Sequence, residues 1–480
     1  IYVKPSRRVR MYRRMRTVAM AAAACLCVAV LGGGVSFYQN HRVDSVIGID
    51  VNPSIELSVN RNEKVLQANP LNEDAETILR EAVAAAQPGR LVREALAAER
   101  LTGRIVLLAA GKAAWAMAQA ACACVPVRRG IVITKDGHLG GALPPLELAE
   151  AGHPVPDARA FAAARRALAL TQGLTAEDTV LVLLSGGASA LFELPLVPEA
   201  RLRAITQRLL RSGADIAAMN AVRKRLSAVK GGRFAQHCAP ARVVSILLSD
   251  VLGDRPDVIG SGPAVPDPST SGEALEAAGQ AGLVPDAALE ALLRQETPKL
   301  LENARWHVVG GVRLLCAAAE ETCRRLGYAP FVLTDRLSCE AREAGRFLSA
   351  AAQYHAGRGK ALALLAGGET VVHVTGSGLG GRNQELALAA APGLEGLSDA
   401  AVFSFGSDGT DGPTDAAGGY ADGRTAAILR ALGRTAEAWL DDNDAWHALA
   451  QTGGLLRTGP TGTNVNDLSV LLIGKPRLTF

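Results

Sequence analysis

Aromatic residues are scarce in this 480-residue chain, at 4%, and three familiar motifs are missing from it. There is no Walker A loop: Gly111-Lys112 is followed by Ala113, and no glycine stands five residues before Gly111, which excludes a P-loop enzyme. There is no Cys-x-x-Cys pair and no histidine at zinc-finger spacing, which removes structural zinc. The eight cysteines, Cys25, Cys27, Cys122, Cys124, Cys238, Cys316, Cys323 and Cys339, read instead as small buried thiols of a reduced, cytosolic protein. There is also no basic stripe beyond the N-terminus. The net charge of +4 conceals seven cations and no acid in the first sixteen residues, which leaves the remainder near −3 and excludes a globally basic nucleic-acid binder. No short-period repeat or low-complexity linker interrupts the chain.

What is present is apolar and small. Hydrophobic residues reach 49%, dominated with glycine by Ala, Leu and Val, a composition suited to tightly packed α/β layers. The length predicts two or three domains. From about residue 75, strand-like and helix-like segments alternate, as parallel α/β layers do. Strands are predicted at Arg104–Ala110, Gly130–Thr134, Thr179–Leu184 and Arg242–Leu248, with helices at Lys112–Cys124, Ala158–Gln172 and Glu199–Arg211. A second round follows, with strands at Trp306–Val309, Pro330–Leu333, Ala361–Leu365, Thr370–Val374, Ala401–Phe405 and Ser469–Leu472. The fold expected is a Rossmann-like parallel-sheet larger domain over 75–300 and a smaller α/β domain over 301–480, around a cleft.

The first 74 residues differ. Thr17–Phe37 holds 21 residues without a charge, long enough for a membrane helix, after a basic segment that would stay cytoplasmic. Residues 1–42 therefore read as a basic segment and membrane span, and 43–74 as a short β fragment with strands in VIGIDV and IELSV. Were the body after it to use a nucleotide, it would lie on the far side of the membrane from its supply. That conflict makes 1–74 a foreign segment, from a fused or misassembled reading frame, with the body itself cytoplasmic.

Five polar turns follow apolar runs, and such turns gather at the carboxyl edge of a parallel sheet, where α/β proteins bind ligands. Gly111-Lys112 places an ammonium at a strand end, within reach of transferring phosphate oxygens. Ser185, Gly186, Gly187 and Ser189 form a glycine turn that bares N–H groups to an anion, and Lys230, Gly231 and Gly232 form a similar, charged one. Asp250, after VVSILL, would orient or deprotonate a hydroxyl or hold Mg²⁺. Gly376, Gly378, Gly380 and Gly381 lead into Arg382, Asn383 and Glu385, a polar cationic helix start suited to an anion, with Arg382 able to grip a carboxylate or phosphate bidentately. Asp408 and Asp411 crowd negative charge into one loop and read as metal ligands. His153 reads as a packed loop residue. This set suits phosphoryl transfer. The spacing Gly376-x-Gly378-x-x-Gly381 also fits a dinucleotide fingerprint, so an NAD(P)-dependent reductase competes.

The motifs GKAAWAMA (111–118), GHPVPD (152–157), LLSGGASAL (183–191), VRKRLSAVKGGRFA (222–235), LLSDVLGD (247–254), VIGSGPAVPDP (258–268), GGETVVHVTGSGLGGRNQELAL (367–388), GSDGTDGPTDAAGG (406–419) and TGPTGTNVNDLSVLLIG (458–474) resemble the glycerate 2-kinases whose C-terminal domain is called MOFRL. The resemblance covers about 400 residues. It implies phosphorylation of D-glycerate to 2-phosphoglycerate with ATP and Mg²⁺, and Lys112, Asp250 and Arg382 as the catalytic set. Arg225 departs from a common histidine, and Gly310-Gly311-Val312 from a Gly-Ser-Asn-like turn. The reductase reading becomes hydroxypyruvate reductase in this light. Residues 1–79, through IDVNPSIELSVNR and LNEDAE, resemble RsgI-type anti-sigma factors, which leaves a membrane-anchored ligand-binding sensor as the non-enzyme alternative.

Overall fold

The computed structural model describes residues 73–474 and, as backbone, three strands before them. It divides into two units, 1–77 and 78–480. In the first, β1 (Ser45–Ile49), β2 (Ile55–Val59) and β3 (Val65–Asn69) form an antiparallel meander, with Ser45 opposite Val59 and Glu56 opposite Asn69. The expected membrane segment 17–37 lies outside the described residues. Among those described, no helix is long and apolar enough to cross a membrane.

The second unit carries two six-stranded sheets. The first contains β4 (Ile105–Ala110), β5 (Val127–Lys135), β6 (Leu146–Ala151), β7 (Thr179–Leu184), β8 (Arg242–Leu248) and β9 (Ala304–Gly310), all parallel, in the order β6-β5-β4-β7-β8-β9. Its central strands IVLLAA and TVLVLL are buried at every position, because helices cover both faces of a parallel sheet. The chain leaves β4 toward one edge and returns at β7 to build the other, so the switch point lies between β4 and β7, where such sheets open a crevice. Ala110 pairs with Leu184 and Leu184 with Leu247, so three loops leave the sheet level with one another.

The second sheet comprises β10 (Ala329–Leu337), β11 (Leu362–Gly368), β12 (Ala400–Gly406), β13 (Gly418–Asp422), β14 (Leu455–Leu456) and β15 (Asp467–Ile473). Its order is β10-β11-β15-β12-β13-β14, and only β10 and β11 are parallel. The alternation had implied a second parallel layer. The sheet is mixed because the C-terminal strand β15 inserts antiparallel between β11 and β12.

Three further expectations change. The strand near Trp306, assigned to the second domain, pairs with β8 as the edge of the first sheet, so the break between sheets follows Gly310. The predicted strand Thr370–Val374 is reduced to one bridge, Val371 to Glu340; Val371 and Val374 are exposed, and within the segment Thr370 and Val372 pack inward. Burial of the cysteines holds for Cys238, Cys316 and Cys323, whereas Cys124 and Cys339 are exposed.

A buried polar hub ties the loop 250–272 to the helix Ile216–Arg225. Lys224 Nζ donates to Asp267 at 2.9 Å and Asp257 at 3.3 Å, and Asp267 also accepts from Ser269 and Thr297. Arg225, the departure from histidine, is fully buried and bonded to Ala221 O, Ser269 and Glu296, so it serves packing. Burial raises the Asp267 carboxyl, but Lys224 and the hydroxyl donors outweigh it and hold the group below its ordinary value. Asp267→Ala should cost about 1.5–3 kcal/mol in urea denaturation, because it leaves the buried Lys224 ammonium only the longer contact to Asp257. The contribution of Asp267 is complete above its unfolded value, about 3.9, and is lost as pH falls through the lower folded value, so the variant's deficit should shrink in acid.

Candidate active site

β4 is followed by Gly111, whose φ of 130° is open only to glycine, and a Cβ there would lie 2.2 Å from Ser185 Oγ. That close approach stitches the two switch-point loops together. Lys112 N donates to Gly186 O at 2.8 Å, and Ala113 N donates to Ser185 Oγ at 3.0 Å. With its backbone fixed, the Lys112 side chain enters a cleft of 290 Å³ shared with Lys135, His138, Ser185, Gly186, Asp408, Thr410 and the loop 460–464. Its ammonium has no hydrogen bond or ion pair to any described residue.

Asp250, after β8, lies against Gly186, where a Cβ would stand 2.4 Å from its Oδ2. Only glycine lets the carboxylate approach the turn this closely. The N–H groups of Gly186 and Gly187 have no acceptor among the described residues, and two such successive groups form an anion-binding concavity. Burial pushes the Asp250 carboxyl above its ordinary value, with the Lys112 ammonium opposing. The ring of His153 stands beside Gly187; burial, then the positive charges of Lys112, Lys135 and His138, lowers its pKa and keeps the imidazole neutral. The second sheet closes the site: Asn466 Nδ2 donates to Asp250 O at 2.9 Å, and Asp408 accepts at Oδ1 from Thr410 N and Oγ1, both at 3.0 Å.

A family model described as a domain of unknown function, DUF4147, matches residues 74–294, and one described as the MOFRL family matches 362–467. A D-glycerate 2-kinase of Thermotoga maritima is 49% identical over 404 residues, which cover 82% of this chain and 97% of the relative. A glycerate 2-kinase of Pyrococcus horikoshii is 38% identical over 425 residues, covering 83% and 96%. The chain belongs to the glycerate 2-kinase family. A crystal structure of glycerate kinase from Thermotoga maritima superposes with a TM-score of 0.81, at 49% identity, covering 84% of this chain and 99% of that one. A third family model, described as the anti-sigma factor RsgI-like central domain, makes a short match over 44–90.

Within this glycerate 2-kinase fold, Lys112, Gly111, Ser185, Gly186, Gly187, Asp250 and Asp408 come together, and several other expected residues do not. Lys230 is fully buried, paired with Glu193 and bonded to Ser189 O, and Gly231 and Gly232 pack against Thr297, Leu301 and Val265 O; no ligand face remains. Ser189 Oγ meets Ser261 Oγ at 3.0 Å rather than the cleft. The loop 376–381 is filled over most of its length by another part of the chain. The N–H groups of 375–379 are taken by the turn 442–444: Thr375 and Gly376 donate to Asn443 Oδ1, Ser377 and Leu379 to Asp442 and Asp444 carboxylates, and Gly378 to Asp442 O; those of Gly380 and Gly381 have no acceptor among the described residues. A Cβ on Gly376 or Gly378 would fall 2.3 Å from that turn, on Gly381 2.3 Å from Asp411, and on Gly380 3.3 Å from Ala445 N. These glycines serve packing.

Asn383 and Glu385 are buried, bonded to Ser404 and Asp411 and to Arg342 and Asn443 respectively. Asp411 is no metal ligand here: it accepts from Asn383 N and Gln384 N at the start of helix Arg382–Leu394, with burial pushing its pKa to about 6. Arg382 is engaged by Asp467 and Glu369, and Glu369 in turn accepts from Asn466. Sequence reasoning passed over Lys135 and His138, judged His153 a packing residue, and gave no role to 460–466. The signal lay in the turn TGPTGTN entering β15.

Asn443→Ala should lower stability by about 1–3 kcal/mol, because it strands two backbone donors and a partner of Glu385. Thermal denaturation would register this. NADH fluorescence titration of the unaltered protein should show no binding, since the turn 442–444 occupies the N–H groups of 375–379 and the space beside them.

Proposed function

We propose that this chain transfers the γ-phosphoryl group of ATP to the C2 hydroxyl of D-glycerate. The observation that carries the reading is one unpaired ammonium, Lys112, beside the two open N–H groups of Gly186 and Gly187 and the carboxylate of Asp250. Phosphoryl transfer requires chiefly positioning and offset of charge on the equatorial oxygens, and this group of donors supplies both. The polyphosphate lies along the Gly186–Gly187 turn, and Lys112 meets the charge that develops in the transition state. Asp250 orients the acceptor hydroxyl and takes its proton; its raised pKa makes it a stronger base than an exposed aspartate.

The cleft fits a nucleotide-borne Mg²⁺, which needs only one or two protein carboxylates. Asp408, with Oδ2 free of any bond to a described residue, would hold it. Bound there, the ion would neutralise phosphate charge. Glu369 is 47% exposed beside Arg382, so an anionic substrate group can take its place on that guanidinium.

The test is an assay with ATP, Mg²⁺ and D-glycerate that separates 2- from 3-phosphoglycerate, run beside NADH with hydroxypyruvate. The expected product is 2-phosphoglycerate, with kcat reduced about 10²–10³-fold in Lys112→Ala. NADH consumption without a phosphorylated product would overturn the reading. The pH profile of kcat/KM should rise through the pKa of Asp250, displaced above the ~3.9 of an exposed aspartate, and Asp250→Asn should abolish that limb and cost about 10²–10⁴-fold.

A further inference from the structure

The helix Ile216–Arg225 ends in three successive cations, and each meets a different fate. Lys224 and Arg225 are buried and paired, as described above. The guanidinium of Arg223, the half-buried residue just before them, has no hydrogen bond or ion pair to any described residue. It lines a separate pocket of 260 Å³. The walls are largely apolar, formed by Pro154, Val155, Phe161, Leu202 and Met219, with Glu193 at the floor.

The charges there do not cancel. Glu193 is 1% exposed; its Oε2 pairs with Lys230, while Oε1 is buried without a hydrogen-bond partner. The other charged residues on the wall, Glu199 and Arg203, pair with each other. One unmatched positive charge, that of Arg223, therefore remains. Burial lowers the pKa of Lys230 to about 8, against the pull of Glu193 and with added repulsion from Arg223. An anion in the pocket relieves that repulsion, and the unpartnered Glu193 oxygen is an acceptor for a hydroxyl. At 260 Å³ the space falls just below the ~300 Å³ at which drug-sized sites begin, so it suits a small acid and not a nucleotide.

The pocket shares no lining residue with the Lys112 cleft, but the chain joins it to the turn Gly186-Gly187 at two places. Its wall at Pro154–Pro156 follows directly on His153, whose ring stands beside Gly187 and the Lys112 side chain. Its floor is tied to the same turn, because Lys230 donates to Ser189 O at 2.6 Å.

We propose that this pocket is the acceptor subsite, with Arg223 binding the carboxylate of a small hydroxy acid and the apolar walls covering its carbon chain. The assignment rests on the kinase reading and goes beyond it in naming what selects the acceptor.

Initial rates for the wild type, Arg223→Gln and Arg223→Lys, with D-glycerate and ATP varied separately, test it. Loss of a charge-assisted carboxylate contact should raise the D-glycerate KM about 10- to 100-fold. The ATP KM should stay within about two-fold, Arg223→Lys should recover part of the loss, and thermal midpoints should not move. An unchanged D-glycerate KM, or equal rises for both substrates, would overturn the subsite. If Arg223→Gln does not fold, Met219→Trp keeps the arginine and fills the pocket; it must raise the D-glycerate KM selectively, and a wild-type value would refute the proposal. If the wild type makes no 2-phosphoglycerate, the kinase reading fails separately. Equilibrium dialysis of radiolabelled D-glycerate then decides the subsite: binding lost in Arg223→Gln supports it, and no binding to wild type overturns it.

Discussion

The parallel register that sets Ala110, Leu184 and Leu247 level at one sheet edge is the constraint on which the rest depends. Because the strands end together, the three loops after them must share a small volume. The chain resolves the crowding by removing side chains, with Gly111 against Ser185 and Gly186 against Asp250. What remains is backbone N–H, one ammonium and one carboxylate in a space that admits little else. A slip of one residue in any of these strands would exchange the faces on which its side chains pack and separate those groups.

Charge pairing divides the cationic side chains into two kinds. Lys224, Arg225, Lys230 and Arg382 all have carboxylate partners, and their burial is tolerated for that reason. Lys112 and Arg223 have none among the described residues, though each faces an enclosed space. A cation left unmatched at a cleft holds attraction in reserve for an anion that arrives from solution. The same distinction separates the acids: Asp411 is taken up by helix-start N–H groups, whereas Asp408 keeps an oxygen free and Asp250 answers only to Lys112 and its own backbone.

Much of this was legible in the sequence. The strand Thr179–Leu184 and the helix Glu199–Arg211 fall where apolar runs and polar turns place them. Lys112, Ser185–Gly187 and Asp250 converge because strand ends alone determine their position. The glycine loop 376–381 misled because its spacing records how close a neighbour comes, not which neighbour. The turn that fills it lies over sixty residues later, at 442–444. Lys230 and Asp411 misled for a related reason: a charged residue in a loop looks free until the fold supplies Glu193 or a helix start. Strand β15 entering antiparallel was equally hidden, since period and propensity do not encode strand direction.

The most direct test of the central claim is a crystal structure of the protein with a non-hydrolysable ATP analogue. The account predicts phosphate oxygens on the N–H groups of Gly186 and Gly187, with the Lys112 ammonium in contact. A nucleotide whose phosphates lie on the loop 376–381, with Lys112 untouched, would contradict it.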